Sequence, residues 1–156
     1  MKKSFFLIIC LLPILAFAQF NLQVGEGEQI VPVKWSTKIT EEKDNQYTIT
    51  VTAIMEENYH IWDLDAGGDG TLINTEISIA ESNNIKVVTP FAPIKQPKIV
   101  NLEYIEGAVR WHEKKIVFTG VYTISNKEPI NVDVTYQACN YEMCFPPEDI
   151  QLKISL

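Results

Sequence analysis

Apolar residues recur at every second position along almost the whole chain, and this alternation limits what the chain can fold into. Val31, Val33 and Trp35 alternate with Pro32, Lys34 and Ser36. Tyr47, Ile49, Val51 and Ala53 are separated by three threonines. The same period runs through Ile73, Ile77 and Ile79, then Ile116, Phe118, Tyr122 and Ile124, then Ile130, Val132, Val134 and Tyr136, and finally Ile150, Leu152, Ile154 and Leu156. Successive side chains of a strand point to opposite faces, so strict alternation rich in β-branched residues predicts half-buried antiparallel strands. No segment keeps the 3.6-residue period of a helix. Turn-forming stretches punctuate the pattern at Glu42–Asn45, Gly67–Gly70, Ser82–Asn84 and Ser125–Pro129. Seven to nine short strands are expected, arranged as an all-β, immunoglobulin-like antiparallel β-sandwich. Phe91–Gly107 is the least regular stretch, and long irregular segments in compact sandwiches are often functional.

The N-terminus obeys different rules. Met1-Lys2-Lys3-Ser4 is basic, Phe5–Phe17 is almost wholly apolar, and Ala16-Phe17-Ala18 has the small-x-small form of a cleavage site. A signal peptide over residues 1–18 is expected, cut before Gln19. The apolar run falls short of the roughly 20 residues that span a bilayer. Cys10 lies inside that run instead of at the cut, which argues against a lipoprotein signal. Residues 19–29 then read as an extension and 30–156 as a single domain. Loss of Lys2 and Lys3 takes the formal charge from −7 to −9. This acidity disfavours nucleic acid or an anionic membrane surface as a partner. With no second apolar run of spanning length, the expected product is exported, soluble and not inserted in a membrane. It would reside where disulfides persist.

Two cysteines remain after the leader, Cys139 and Cys144, in one loop that ends in Pro146-Pro147. Closing so short a loop gains only about 2.2 kcal/mol in the chain-entropy model, against about 4.3 kcal/mol for a loop of roughly 60 residues. The position is poor for a staple and suits a local, reversible bond. It is not a thioredoxin-type site, which has two intervening residues and a helix N-terminus to acidify its thiol. Here the flanks are strands, and the nearby Glu142 and Glu148 supply negative charge. A third possibility is a soft-metal site, with Met143 and His60 or His112 joining the sulfurs around Cu(I). Composition and spacing leave staple, carrier and copper site all open.

The flanking residues narrow the choice. Val134-Thr135-Tyr136-Gln137-Ala138-Cys139, a four-residue spacer, and Cys144-Phe145-Pro146-Pro147-Glu148 resemble the signature of the N-terminal periplasmic domain of the thiol:disulfide interchange protein DsbD family. Pro32-Val33-Lys34-Trp35-Ser36 resembles that family's opening strand, and Asn58-Tyr59-His60-Ile61-Trp62 a further one. The resemblance covers about residues 30–156. It implies an immunoglobulin-like fold with the cysteine pair at one end, and no organic cofactor or metal. It also implies a periplasmic monomer that accepts electrons from a thioredoxin-like domain. Those electrons pass on to thioredoxin-fold oxidoreductases, such as disulfide isomerases or cytochrome c maturation thioredoxins. By that resemblance Cys144 forms the mixed disulfide with partners and Cys139 resolves it. Glu103-Tyr104-Ile105-Glu106-Gly107 would cap the pair, with Tyr104 as the lid. His60, Trp62, Phe145 and Glu148 would neighbour the site. Because the sequence carries neither a transmembrane nor a thioredoxin-like domain, a separate membrane electron donor is expected.

Three other features have plainer explanations. Asp65–Glu76 superficially fits a calcium loop, but Gly67 occupies the third ligand position and strands flank it, so a Gly-rich loop is expected. His112 lies in Trp111-His112-Glu113-Lys114-Lys115, read as a turn without a role. No G-x-S-x-G or similar motif organises a hydrolase site.

Overall fold

The structure, a computed structural model, describes Val31–Leu156. The expected signal peptide (1–18) and extension (19–29) lie outside the described residues. Eleven strands form in this span, more than the seven to nine expected, and every pairing between them is antiparallel.

The first layer is built on β1 (Val33–Glu41) and β2 (Gln46–Met55), with β8 (Lys115–Ile124) and β5 (Ile85–Pro93) completing the order β1-β2-β8-β5. The β1–β2 turn places Asp44 and Asn45 at φ 57° and 59°. Asn and Asp tolerate this left-handed region better than other non-glycine residues. In β2, Tyr47, Ile49, Val51, Ala53 and Met55 are buried. The threonines between them face outward, as the alternation requires. Ile116, Phe118, Tyr122 and Ile124 extend the same inner face on β8.

The second layer centres on β9 (Ile130–Tyr136), flanked by β11 (Glu148–Ile154) and the short β4 (Glu76–Ser78). Its inner residues Ile130, Val132, Val134 and Tyr136 close one apolar cluster with those of β2 and β8. Each such side chain contributes about 1.5–3 kcal/mol on burial, so the sandwich is held chiefly by this shared face. Two facing antiparallel sheets around one core make the fold an immunoglobulin-like β-sandwich.

After Gln137 the chain continues as β10 (Ala138–Cys139) but changes partner. β10 pairs with β3 (His60–Gly67) in the order β10-β3-β7-β6, with β7 at Ala108–Glu113 and β6 at Lys98–Asn101. This switch delivers the first cysteine to the edge of a separate small sheet. That sheet has its own cluster of Trp62, Ala66, Val109, Trp111 and Cys139.

Three expectations are corrected. Trp111–Glu113 belongs to β7, and the turn narrows to Lys114, at φ 64°. Ile73 and Ile79 fall outside β4, which keeps only Ile77 of that run. Phe91–Gly107 is less irregular than expected, since β5 runs to Pro93 and β6 occupies Lys98–Asn101.

Candidate functional site

Cys139 ends β10, and the chain turns at once. Asn140 organises the turn: its amide donates to Met143 O at 2.9 Å. Its side-chain Oδ1 accepts from the amides of Glu142 and Met143, each at 2.8 Å. Cys144 thereby comes back opposite Cys139, with Cα atoms 3.9 Å apart, and the two sulfurs are bonded.

The returning segment is fastened at four points. Phe145 N donates to Ala138 O at 2.8 Å, and Gln137 Nε2 donates to Phe145 O at 3.0 Å. The Phe145 ring lies 5.9 Å from that of Tyr59. After the two prolines, Glu148 Oε2 accepts from the Tyr136 hydroxyl at 2.8 Å. Burial, and then the adjacent Glu148 carboxylate, push the Tyr136 phenol well above its ordinary range, so it stays a donor.

The two cysteines of this bond differ in access. Cys139 is 1% exposed, packed among Trp62, Ala66, Val109 and Trp111. Cys144 is exposed, as are its neighbours Tyr141, Glu142 and Met143.

A pocket of about 390 Å³ opens beside the disulfide, walled by Trp62, Leu72, Leu102, Ile105 and Trp111. Neither Lys nor Arg lines it among the described residues. His60 forms part of the wall and is the register partner of Cys139. Its ring stacks on Trp111 at 4.5 Å between centroids and meets Trp62 edge-on at 5.2 Å. Burial lowers the His60 pKa to about 4; the Glu113 carboxylate opposes that shift and Lys98 adds to it. Glu113 is held in place by Lys98 Nζ and Trp111 Nε1, which both donate to its Oε1 at 2.8 Å. Those two hydrogen bonds, Lys98 first, keep its carboxyl below the usual range.

Of the residues expected at the site, Cys139, Cys144, His60, Trp62 and Ile105 line one pocket. Phe145 and Glu148 hold the loop exit. Glu103 and Tyr104 do not line the pocket, and Tyr104 is 89% exposed. Ile105 and Leu102 supply the apolar surface of that segment instead. Gly68 makes room for it: at φ +70° a Cβ there would sit 2.8 Å from Ile105 Cγ2. Trp111, Leu72, Leu102 and Asn140 were not singled out from the sequence. Only strand register could have found Trp111, which lies opposite Trp62. The Asp65–Glu76 segment is closed by its own contacts: Asp65 pairs with Arg110 at 2.9 Å, and Asp69 Oδ1 accepts from Thr71 Oγ1 at 2.6 Å.

A local disulfide between one buried and one exposed cysteine, starting at the edge of the small β10-β3-β7-β6 sheet, defines a dithiol–disulfide module. The chain belongs to the family described as thiol:disulfide interchange protein DsbD, N-terminal, whose profile matches residues 27–156. Among solved structures it is similar to the reduced N-terminal domain of DsbD from Neisseria meningitidis. That likeness has 15% identity and a TM-score of 0.51, covering 78% of this chain and 84% of that one. It is similar also to the N-terminal periplasmic domain of ScsB from Proteus mirabilis, at 14% identity and a TM-score of 0.61; 82% of this chain matches 48% of that one. A third similar structure is the complex between the DsbD and PilB N-terminal domains from Neisseria meningitidis, at 14% identity, a TM-score of 0.52, and 77% and 81% coverage. No curated protein matches the chain.

Proposed function

We propose that the domain is a periplasmic electron carrier that relays reducing equivalents through the Cys139–Cys144 pair to thioredoxin-fold oxidoreductases. The unequal exposure of the two cysteines carries this reading. Thiol–disulfide exchange needs a thiolate to reach one sulfur directly, with the other as leaving group. Cys144 can be reached from solvent, and Cys139 is covered.

The cycle follows from that asymmetry. A donor thiolate attacks Cys144 Sγ, the Cys139–Cys144 bond breaks, and its electron pair leaves on Cys139. The donor's second thiolate then attacks its own sulfur in the mixed disulfide and releases Cys144 as a thiolate. The donor ends oxidised and the domain reduced. Toward an acceptor the steps run in reverse order: Cys144 attacks the acceptor disulfide, and Cys139 attacks Cys144 Sγ and expels the reduced acceptor. The donor is read as a separate membrane protein. The solved complex of a related domain with a second protein's N-terminal domain supports docking of a protein partner.

The reduction potential of the pair tests the reading. A carrier should equilibrate with glutathione or dithiothreitol buffers above about −300 mV. A potential far below that value would mark an inert structural bond.

A further inference from the structure

We propose that His60 is the general base for Cys139, taking the proton of the buried resolving thiol. The inference rests on the exchange reading above and assigns the proton path that such an exchange requires.

Cys139 has a problem that Cys144 lacks. It must act as a thiolate while 1% exposed, among two tryptophans, a valine and an alanine. Apolar burial disfavours a thiolate, so the proton needs a neighbouring acceptor. His60 stands directly across the β10–β3 ladder from Cys139. Opposed residues of an antiparallel pair share a face, with Cβ atoms about 4.5–5.5 Å apart. Both line the same pocket.

The imidazole is fixed but uncommitted. Trp111 and Trp62 hold its ring from the face and the edge. Among the described residues, no hydrogen bond occupies its ring nitrogens. The other histidine, His112, is tied to Asp63 at 2.8 Å. His60 also borders a second pocket, of about 190 Å³, which Glu56, Glu57 and Tyr59 line. His60 thus borders both the cysteine pocket and a second opening lined by carboxylates.

The charged and titratable groups around it are Glu113 on β7, Lys98 on β6, Tyr141 and Glu142 of the cysteine loop, and Glu56, Glu57, Tyr59 and Lys114 at the second pocket. Burial lowers the His60 pKa to about 4, so the ring is neutral at pH 7 and free to accept a proton, but is a weak base until a thiolate forms beside it. The imidazolium so formed would face a new thiolate, and that attraction offsets part of the burial cost.

The step balances. In the mixed disulfide on Cys144, His60 takes the Cys139 proton. The sulfur lone pair attacks Cys144 Sγ, the bond to the partner sulfur breaks, and the partner leaves as a thiolate. The imidazolium then releases its proton to water. In the opposite direction, a proton taken up by His60 from water passes to Cys139 as it leaves.

Ellman's disulfide separates the two cysteines in one experiment. Attack by Cys144 releases a first thionitrobenzoate, and resolution by Cys139 releases the second. His60→Phe, which keeps an aromatic ring in the stack, should slow the second release about a hundredfold at pH 7, within the range for loss of a general base. The first release should stay within about twofold. The variant's second phase should climb with pH and converge on the wild type once Cys139 ionises by itself. His60→Gln, a smaller change to the packing, should behave the same way. A second phase unchanged in rate and pH profile, or both phases slowed equally, would overturn the proposal. The reagent is not a protein. Failure to exchange with protein partners would therefore remove the carrier reading, while the two phases still decide the role of His60.

Discussion

Trp62 Nε1 donates to Gln137 Oε1 at 3.3 Å, across 75 residues of sequence. Gln137 then passes a second hydrogen bond to the Phe145 carbonyl. One amide side chain therefore ties the aromatic wall of the pocket to both arms of the cysteine loop. It sits where the chain leaves β9 and changes sheet, a place where the ladder alone does not satisfy every backbone group.

Gln137→Ala would leave an indole N–H and a carbonyl without these partners. The expected loss is about 1–2 kcal/mol of stability, measured as a lower urea midpoint at unchanged slope. A variant as stable as the wild type would show that water replaces the amide at no cost.

Gly68→Ala tests the seat of the 102–107 loop. The backbone at Gly68 has φ +70°, and a methyl group would meet Ile105 Cγ2 at 2.8 Å. Left-handed strain for a non-glycine residue costs about 1–3 kcal/mol. Ile105 should also be displaced from the pocket, so a phosphine reductant should open the Cys139–Cys144 bond faster than in the wild type. Unchanged reduction kinetics would mean that Ile105 does not cover the pair.

The His60 imidazole titrates near 6.5 when unfolded and near 4 in the fold, because burial disfavours its charged form. Across that interval the unfolded chain binds a proton that the native state refuses. Stability should therefore be full above about pH 6.5 and decline as pH falls toward about 4. Urea midpoints of His60→Phe should lack this decline, and a matching decline in the variant would contradict the assignment.

At lower pH a different pair takes over. Burial alone would raise the Asp63 carboxyl. The hydrogen bond to His112 at 2.8 Å, the Leu64 amide, and the charges of His112 and Arg110 more than offset it, holding the group below its ordinary 3.8. The stability it supplies is present above about 3.8 and is lost as pH falls through the lower folded value. Asp63→Asn keeps the shape and removes the titration, so acid unfolding below about pH 4 should become less steep.

The core was legible because alternation is a direct imprint of a two-faced sheet. Four of the inward residues of β2, Tyr47 to Ala53, could be named from the threonines between them, whereas Met55, set off by Ile54, was not. The cysteine turn was legible too, since its flanking residues are distinctive and local. Trp111 and His112 were missed because a run of His, Glu and two Lys looks solvated. Its burial depends on Asp63, 49 residues away, meeting His112 across β3 and β7. The cap was read from an aromatic residue, yet the side chain that reaches the pocket is Ile105. Which face of a short irregular segment turns inward is set by Gly68, distant in sequence and silent in any periodic pattern.

The central claim is that Cys144 is the sulfur that meets the partner. Its most direct test is to incubate Cys139→Ala and Cys144→Ala, each reduced, with thioredoxin-fold proteins that lack their resolving cysteine and carry the remaining one as a thionitrobenzoate disulfide, so that attack expels thionitrobenzoate. Mixed disulfides are then quantified on non-reducing gels with mass spectrometric mapping. The account predicts a stable adduct through Cys144 in the first variant and little or none through the buried Cys139 in the second. Equal trapping by both, or adducts only through Cys139, would contradict it.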